Sequence, residues 1–116
     1  MAKGDNIEDR LIDYAVLIIQ LCGKLPKTRP GNHISGQLLR CGTSPAPNYG
    51  EVRGAESKKD FIHKLRIVLK ELNESVIWLV ITRRSKLLPE SVLLPIEQEG
   101  RELSRIINKS IDTASK

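Results

Sequence analysis

Apolar residues recur at three- and four-residue steps along most of the chain, the spacing that gathers side chains on one side of an α-helix. Ile7, Leu11, Ala15, Ile18 and Cys22 make the first such stripe, flanked by Tyr14, Leu21 and Leu25. Asp5 and Glu8 stand at capping-box spacing, and Asp9 and Asp13 extend an acidic start that suits the positive end of a helix dipole. Gly23 and Pro26 stop the pattern, so a helix is predicted over about residues 6–24.

The strongest signal comes later. Phe61, Leu65, Val68, Leu72, Val76 and Leu79 keep helical spacing for five turns or more, joined by Ile62, Leu69 and Val80, after a cap at Ser57 and Asp60. Arg83, Arg84 and Lys86 follow where cations favour the negative end of the dipole, which sets this helix at about 57–86. A short turn through Leu87, Leu88 and Pro89 leads to a last helix over about 90–113, with Ile96, Leu103, Ile107 and Ile111 on its buried side and Leu93, Gly100 and Ile106 beside them. Pro95 is a predicted kink and the tail from Asp112 a predicted fray.

Between these lies a harder stretch. Pro30 and Gly31 precede a helix start, and Ile34, Leu38 and Cys41 share a face, yet Gly42, Pro45 and Pro47 sit where a helix interior loses donors. Local rules predict a break near 42–47, with resumption through Asn48 to Gly54, hence a bent or interrupted helix over about 31–53. No segment alternates with period two, so the expected fold is all-α: one antiparallel four-helix bundle, up-down in topology.

Composition changes this picture little. At 116 residues, 40% hydrophobic with four aromatic residues, the chain makes one domain whose core is Leu, Ile and Val. No run reaches the roughly 20 apolar residues of a membrane span, and the acidic opening lacks the basic start of a signal peptide, so no membrane is expected and the cytoplasm is the expected compartment. Cys22 and Cys41 are expected to be reduced and unreactive.

Charge adds more. The net charge is +5, and Arg53, Lys58, Lys59, Lys64, Arg66 and Lys70 cluster against only Glu56 and Asp60. Lys59, Arg66 and Lys70, spaced seven and four apart, fall near one helix face, while Lys64 points elsewhere. A solvated helix face explains this run, and so does phosphate binding, because an array of cations neutralises a nucleic-acid backbone without reading bases. Binding to RNA or DNA would then be nonspecific and salt-sensitive. A second polar set is Asn48, Glu51, Lys70, Glu71 and Glu74. It reads as surface pairing, as a network between helices or subunits that fixes register, or, least, as paired acid and base.

Catalysis and cofactors find no support. His33 and His63 lie on different helices without neighbours at metal-ligand spacing, and no glycine-rich phosphate loop is present. The expectation is no catalytic residue, no metal and no cofactor. The helical toxin-type ribonucleases are basic bundles too, but their arginine and histidine motif has four to six residues between the pair. Arg29 precedes His33 by too little and Arg53 precedes His63 by too much.

Cys41-Gly42-Thr43-Ser44, Asn48-Tyr49, Glu51, Ala55, Ser57, Asp60-Phe61, Lys64, Lys70-Glu71, Glu74-Ser75 and Trp78-Leu79 together resemble the signature of four-helix proteins encoded in intervening sequences of bacterial 23S ribosomal RNA genes. That family is similar to the accessory variability protein of diversity-generating retroelements. The resemblance implies a homo-oligomer, a pentameric barrel, with a basic surface that engages nucleic acid and a reverse transcriptase, and no enzymatic activity. It also implies a long helix through Ser44 and Asn48, from which Pro45 and Pro47 depart. Asn48, Glu51, Lys70 and Glu71 match the family's positions, as structural residues.

Overall fold

The computed structural model describes residues 3–116, with side chains from residue 6 onward. Its helices are α1 (Lys3–Lys24), α2 (Arg29–Thr43), α3 (Pro45–Val52), α4 (Lys58–Arg84) and α5 (Glu90–Ser115). Only Ser44 separates α2 from α3, so the architecture is four helical arms with no strand among the described residues. None of the described helices is long and apolar enough to cross a membrane.

α1 is already helical at Lys3, upstream of Asp5, whose side chain lies outside the described ones. α2 begins two residues before the Pro30-Gly31 boundary. Thr28 is extended and its hydroxyl accepts from the Gly31 amide at 3.2 Å, while Pro30 falls in the first turn, where no donor is needed. The prolines further on cost little for the same reason. Ser44 keeps right-handed helical angles (φ −70°, ψ −36°) and its amide still reaches the Arg40 carbonyl at 3.2 Å. Pro45 and Pro47 then sit in the first turn of α3, so the interruption is confined to one residue and the helix resumes at Pro45.

The Ser57 hydroxyl caps α4 by accepting from the Asp60 amide at 3.0 Å, and Asp60 accepts in turn from the Glu56 amide at 3.1 Å. α4 ends before Lys86, which takes a left-handed φ of 60° and lets the Leu87 amide bond back to the Thr82 carbonyl. α5 runs unbroken through Pro95 and does not fray at Asp112. Ile111 is buried, and the hydroxyls of Ser110 and Ser115 bond back to carbonyls one turn earlier.

The core follows helical spacing, but on α1 the register differs from the predicted stripe. Leu11, Tyr14, Ile18, Leu21 and Leu25 are buried, whereas Ala15 and Cys22 are only half-buried. Tyr14 is fully enclosed and donates to the Ser75 hydroxyl at 2.8 Å, because the Ser75 hydrogen is committed to the Leu72 carbonyl at 2.7 Å. Burial pushes the Tyr14 phenol up to about 12, partly offset by the Ser75 bond. Two glycines permit close approach of helices. A Cβ at Gly42 would lie 2.7 Å from the Ile18 side chain, and one at Gly100 would lie 2.7 Å from both Tyr14 and Val76. α1 and α4 lie diagonally across the bundle, their backbones apart and their contact made through core side chains such as Tyr14 and Ser75; each packs closely on α2, α3 and α5.

Candidate nucleic-acid interface

The buried side of α4 is fixed by Leu65, Val68, Leu72, Val76 and Leu79, so its opposite side must face out. That outer line carries Lys59, His63, Arg66 and Lys70, all exposed. By helical rise the three cations span about 16 Å. None of Lys59, Arg66 and Lys70 has an ion-pair or hydrogen-bond partner among the described residues.

The other three cations of the basic segment are engaged. Arg53 caps α3 and pairs with Glu8 of α1, the Lys58 ammonium donates to the Lys116 carbonyl at 3.0 Å, and Lys64 is half-buried and pairs with Asp60 at 3.5 Å. The Asp60 carboxyl is held below its usual range, first by the Glu56 amide and then by Lys64. These three serve the joint between α3 and the start of α4 and the ends of α1 and α5 beside it. Among the described residues, the exposed line of three is the part of the basic segment left without a partner.

The acidic set also divides. Arg40 of α2 donates to Glu71 at 3.3 Å, pairs with Glu74, and donates to Gln37 at 3.1 Å. Glu74 further accepts from the Trp78 indole at 3.3 Å, and His33 meets the Trp78 ring edge-on with centroids 5.7 Å apart. A network therefore ties α2 to α4, centred on Arg40, a residue that sequence spacing does not single out because its partners lie 31 and 34 positions away. Asn48 stays outside it, donating to the Ser44 carbonyl and hydroxyl at 2.9 and 2.7 Å, and Glu51 is exposed. By taking up Glu71 and Glu74, Arg40 removes the two carboxylates nearest Lys70 from competition for it.

Two further arginines form two-point pairs with carboxylates. Arg83 donates to Glu97 at 2.8 and 3.2 Å, and Glu97 is only 3% exposed; Arg10 donates to Glu99 at 3.1 and 2.7 Å. The Glu97 bond raises the Arg83 guanidinium above its ordinary value. Both pairs lock α5 in place, to α4 and to α1 respectively. Burial pushes the Cys41 thiol up to about 12 and raises Cys22, so both resist forming thiolate. Among the described residues no three His, Cys, Asp or Glu side chains gather to hold a metal.

The sequence model of the 23S rRNA-intervening sequence proteins matches residues 6–109. No curated protein sequence matches the chain. Among solved structures, a crystal structure of a protein with unknown function from the S23 ribosomal protein family of Bacteroides thetaiotaomicron VPI-5482 is similar over 96% of this chain and 99% of that one, at 32% identity and a TM-score of 0.87. The chain thus belongs to the 23S rRNA-intervening sequence protein family.

Proposed function

We propose that this family member is a non-enzymatic adaptor of the cytoplasm that self-associates and binds nucleic-acid backbones through the outer line of α4. The observation that carries the reading is the row Lys59, Arg66 and Lys70, exposed and without a partner among the described residues while neighbouring cations are spent on the fold. Three cations on one straight edge suit phosphate contact without base readout. The proposal includes an antiparallel, up-down course of the four arms and assembly of five copies, as the family resemblance implies, which would multiply the row around the assembly. It extends to the likeness with the retroelement accessory protein and so to a reverse transcriptase as partner.

Fluorescence anisotropy with labelled RNA and DNA over a salt series tests it. The expected result is affinity at low salt that falls linearly in log K against log salt; affinity absent at low salt, or indifferent to salt, overturns the reading.

A second reading is a purely structural or protein-interaction bundle whose charge serves solubility. It draws on the apolar residues left in water, of which Ile77 is 59% and Ile19 53% exposed. It expects a defined oligomer in light scattering, unchanged when nucleic acid is added.

A further inference from the structure

α1 is apolar on the side that faces away from the bundle as well as on the side that faces in. Ile12, Val16 and Ile19 follow helical spacing on that outer side, and each is exposed. An aliphatic strip on the outer side of a helix marks a contact with another chain when nothing of its own chain covers it, and nothing of the single chain covers this one. Asp9 and Asp13 border the first half of the stripe, and neither has a partner among the described residues.

A second unpartnered apolar strip lies on α4, in line with the basic row but further along the helix. Ile77 and Ile81 project there, and between α4 and α5 run two adjoining hollows that share Val76, Ile77 and Arg101. Together they make one furrow with an aliphatic floor, and its rim is cationic: Arg84, Arg101 and Arg105. Among the described residues only Arg105 of these has a carboxylate partner, the half-exposed Glu102. Ser104, 9% exposed, lines the furrow with a buried hydroxyl that has no partner.

The two surfaces match. One is a ridge of aliphatic side chains edged by carboxylates, the other an aliphatic furrow edged by guanidiniums. By helical rise the ridge from Asp9 to Ile19 runs about 15 Å and the furrow from Asn73 to Arg84 about 16 Å. They cannot meet within one chain, because the ridge lies on the side of α1 turned away from the bundle and the backbones of α1 and α4 stay apart across it. We infer that the α1 ridge of one copy seats in the α4–α5 furrow of the next, with Asp9 and Asp13 beside Arg105 and Arg101 and Ile19 toward Ile81. Such a contact joins two different patches, so it propagates head to tail and closes into a ring when the rotation allows. It rests on the self-association in the proposed function and assigns the faces that make it.

Val16→Glu and Ile77→Glu test the assignment, since each places a charge on one face at an already exposed position. In sedimentation equilibrium the wild-type chain is expected to be oligomeric and each variant monomeric with helical ellipticity intact. An equimolar mixture is expected to give a one-to-one dimer and nothing larger, because it offers one sound ridge and one sound furrow. A wild-type oligomer that one or both variants leave intact, or variants that fall apart yet stay monomeric when mixed, overturns the face assignment alone. A monomeric wild type overturns self-association itself. Should a glutamate variant lose ellipticity, Asp13→Arg and Arg101→Asp replace the pair. Each is expected to dissociate by itself and a chain carrying both changes to regain wild-type size, since the exchange then restores an opposite-charge pair at every joint; a doubly changed chain that stays dissociated overturns the assignment.

Discussion

The outer line of α4 changes character halfway along. Its first half presents Lys59, His63, Arg66 and Lys70, and its second half Ile77 and Ile81, although the same helix and the same buried periodicity lie beneath both. Leu65, Val68 and Leu72 support the first half, and Val76 and Leu79 the second. Packing thus accounts for the inward residues in both halves and for the outward residues in neither. What differs between the halves is the kind of surface each can meet: one suits a polyanion in water, the other an aliphatic partner that excludes water. A stretch of helix that the fold treats uniformly is divided by what lies outside it.

Substitutions on the inner and outer sides should therefore separate cleanly. Leu72→Ala, beneath the basic half, is expected to cost about 2–5 kcal/mol in urea unfolding, whereas Lys70→Gln directly outside it should stay within about 0.5 kcal/mol. A comparable loss from both would erase the distinction. The junction of the two halves is held by the Tyr14 bond to Ser75, and its pH dependence has a definite sign. Because the folded phenol titrates near 12, above its ordinary 10.0, its contribution is whole below about pH 10 and is lost as pH rises through about 12. Alkaline unfolding followed by circular dichroism should show this limb, and Tyr14→Phe should flatten it.

Replacing Lys59, Arg66 and Lys70 together by Gln is expected to leave unfolding unchanged and to reduce the salt slope of single-stranded RNA binding by about 2, three phosphate contacts' worth. The same triple change should not alter the oligomer, while Ile77→Glu should do the opposite. A modest effect on both stability and binding is expected at Arg40→Ala, which frees Glu71 and Glu74 beside the basic half. Since the Arg40 side chain is half exposed, the stability loss should be slight and should shrink with salt. RNA affinity should also fall, as the released carboxylates oppose the phosphate.

Four helical arms were legible because their apolar spacing and the caps at Ser57 and Asp60 are local signals. The face of α1 was legible to within part of a turn: Leu11 and Ile18 belong to it as read, while Tyr14, Leu21 and Leu25, read as flanking, are buried in place of Ala15 and Cys22, because periodicity gives a side and not its centre. Thr28 escaped notice behind Pro30 and Gly31, and the pair of prolines at 45 and 47 read as a wide break because their place in a new first turn depends on Ser44 staying helical. In the candidate interface, the alignment of Lys59, Arg66 and Lys70 follows from spacing within one helix. The engagement of Arg53 by Glu8, of Lys58 by the last residue and of Arg40 by Glu71 and Glu74 joins positions 31 or more apart, which only the folded chain brings together.

Gly100 carries a consequence for the outside of the molecule. With no side chain there, α5 rests against Tyr14 and Val76, and its neighbour Arg101 stands on the lip of the furrow. A single methyl at that position would act as a wedge, prising α5 from the helix beside it and spreading the mouth that receives the next copy. The calibre of a docking slot on the exterior is thus set by an atom missing from the interior, and alanine at residue 100 should loosen assembly without touching any residue that makes the contact.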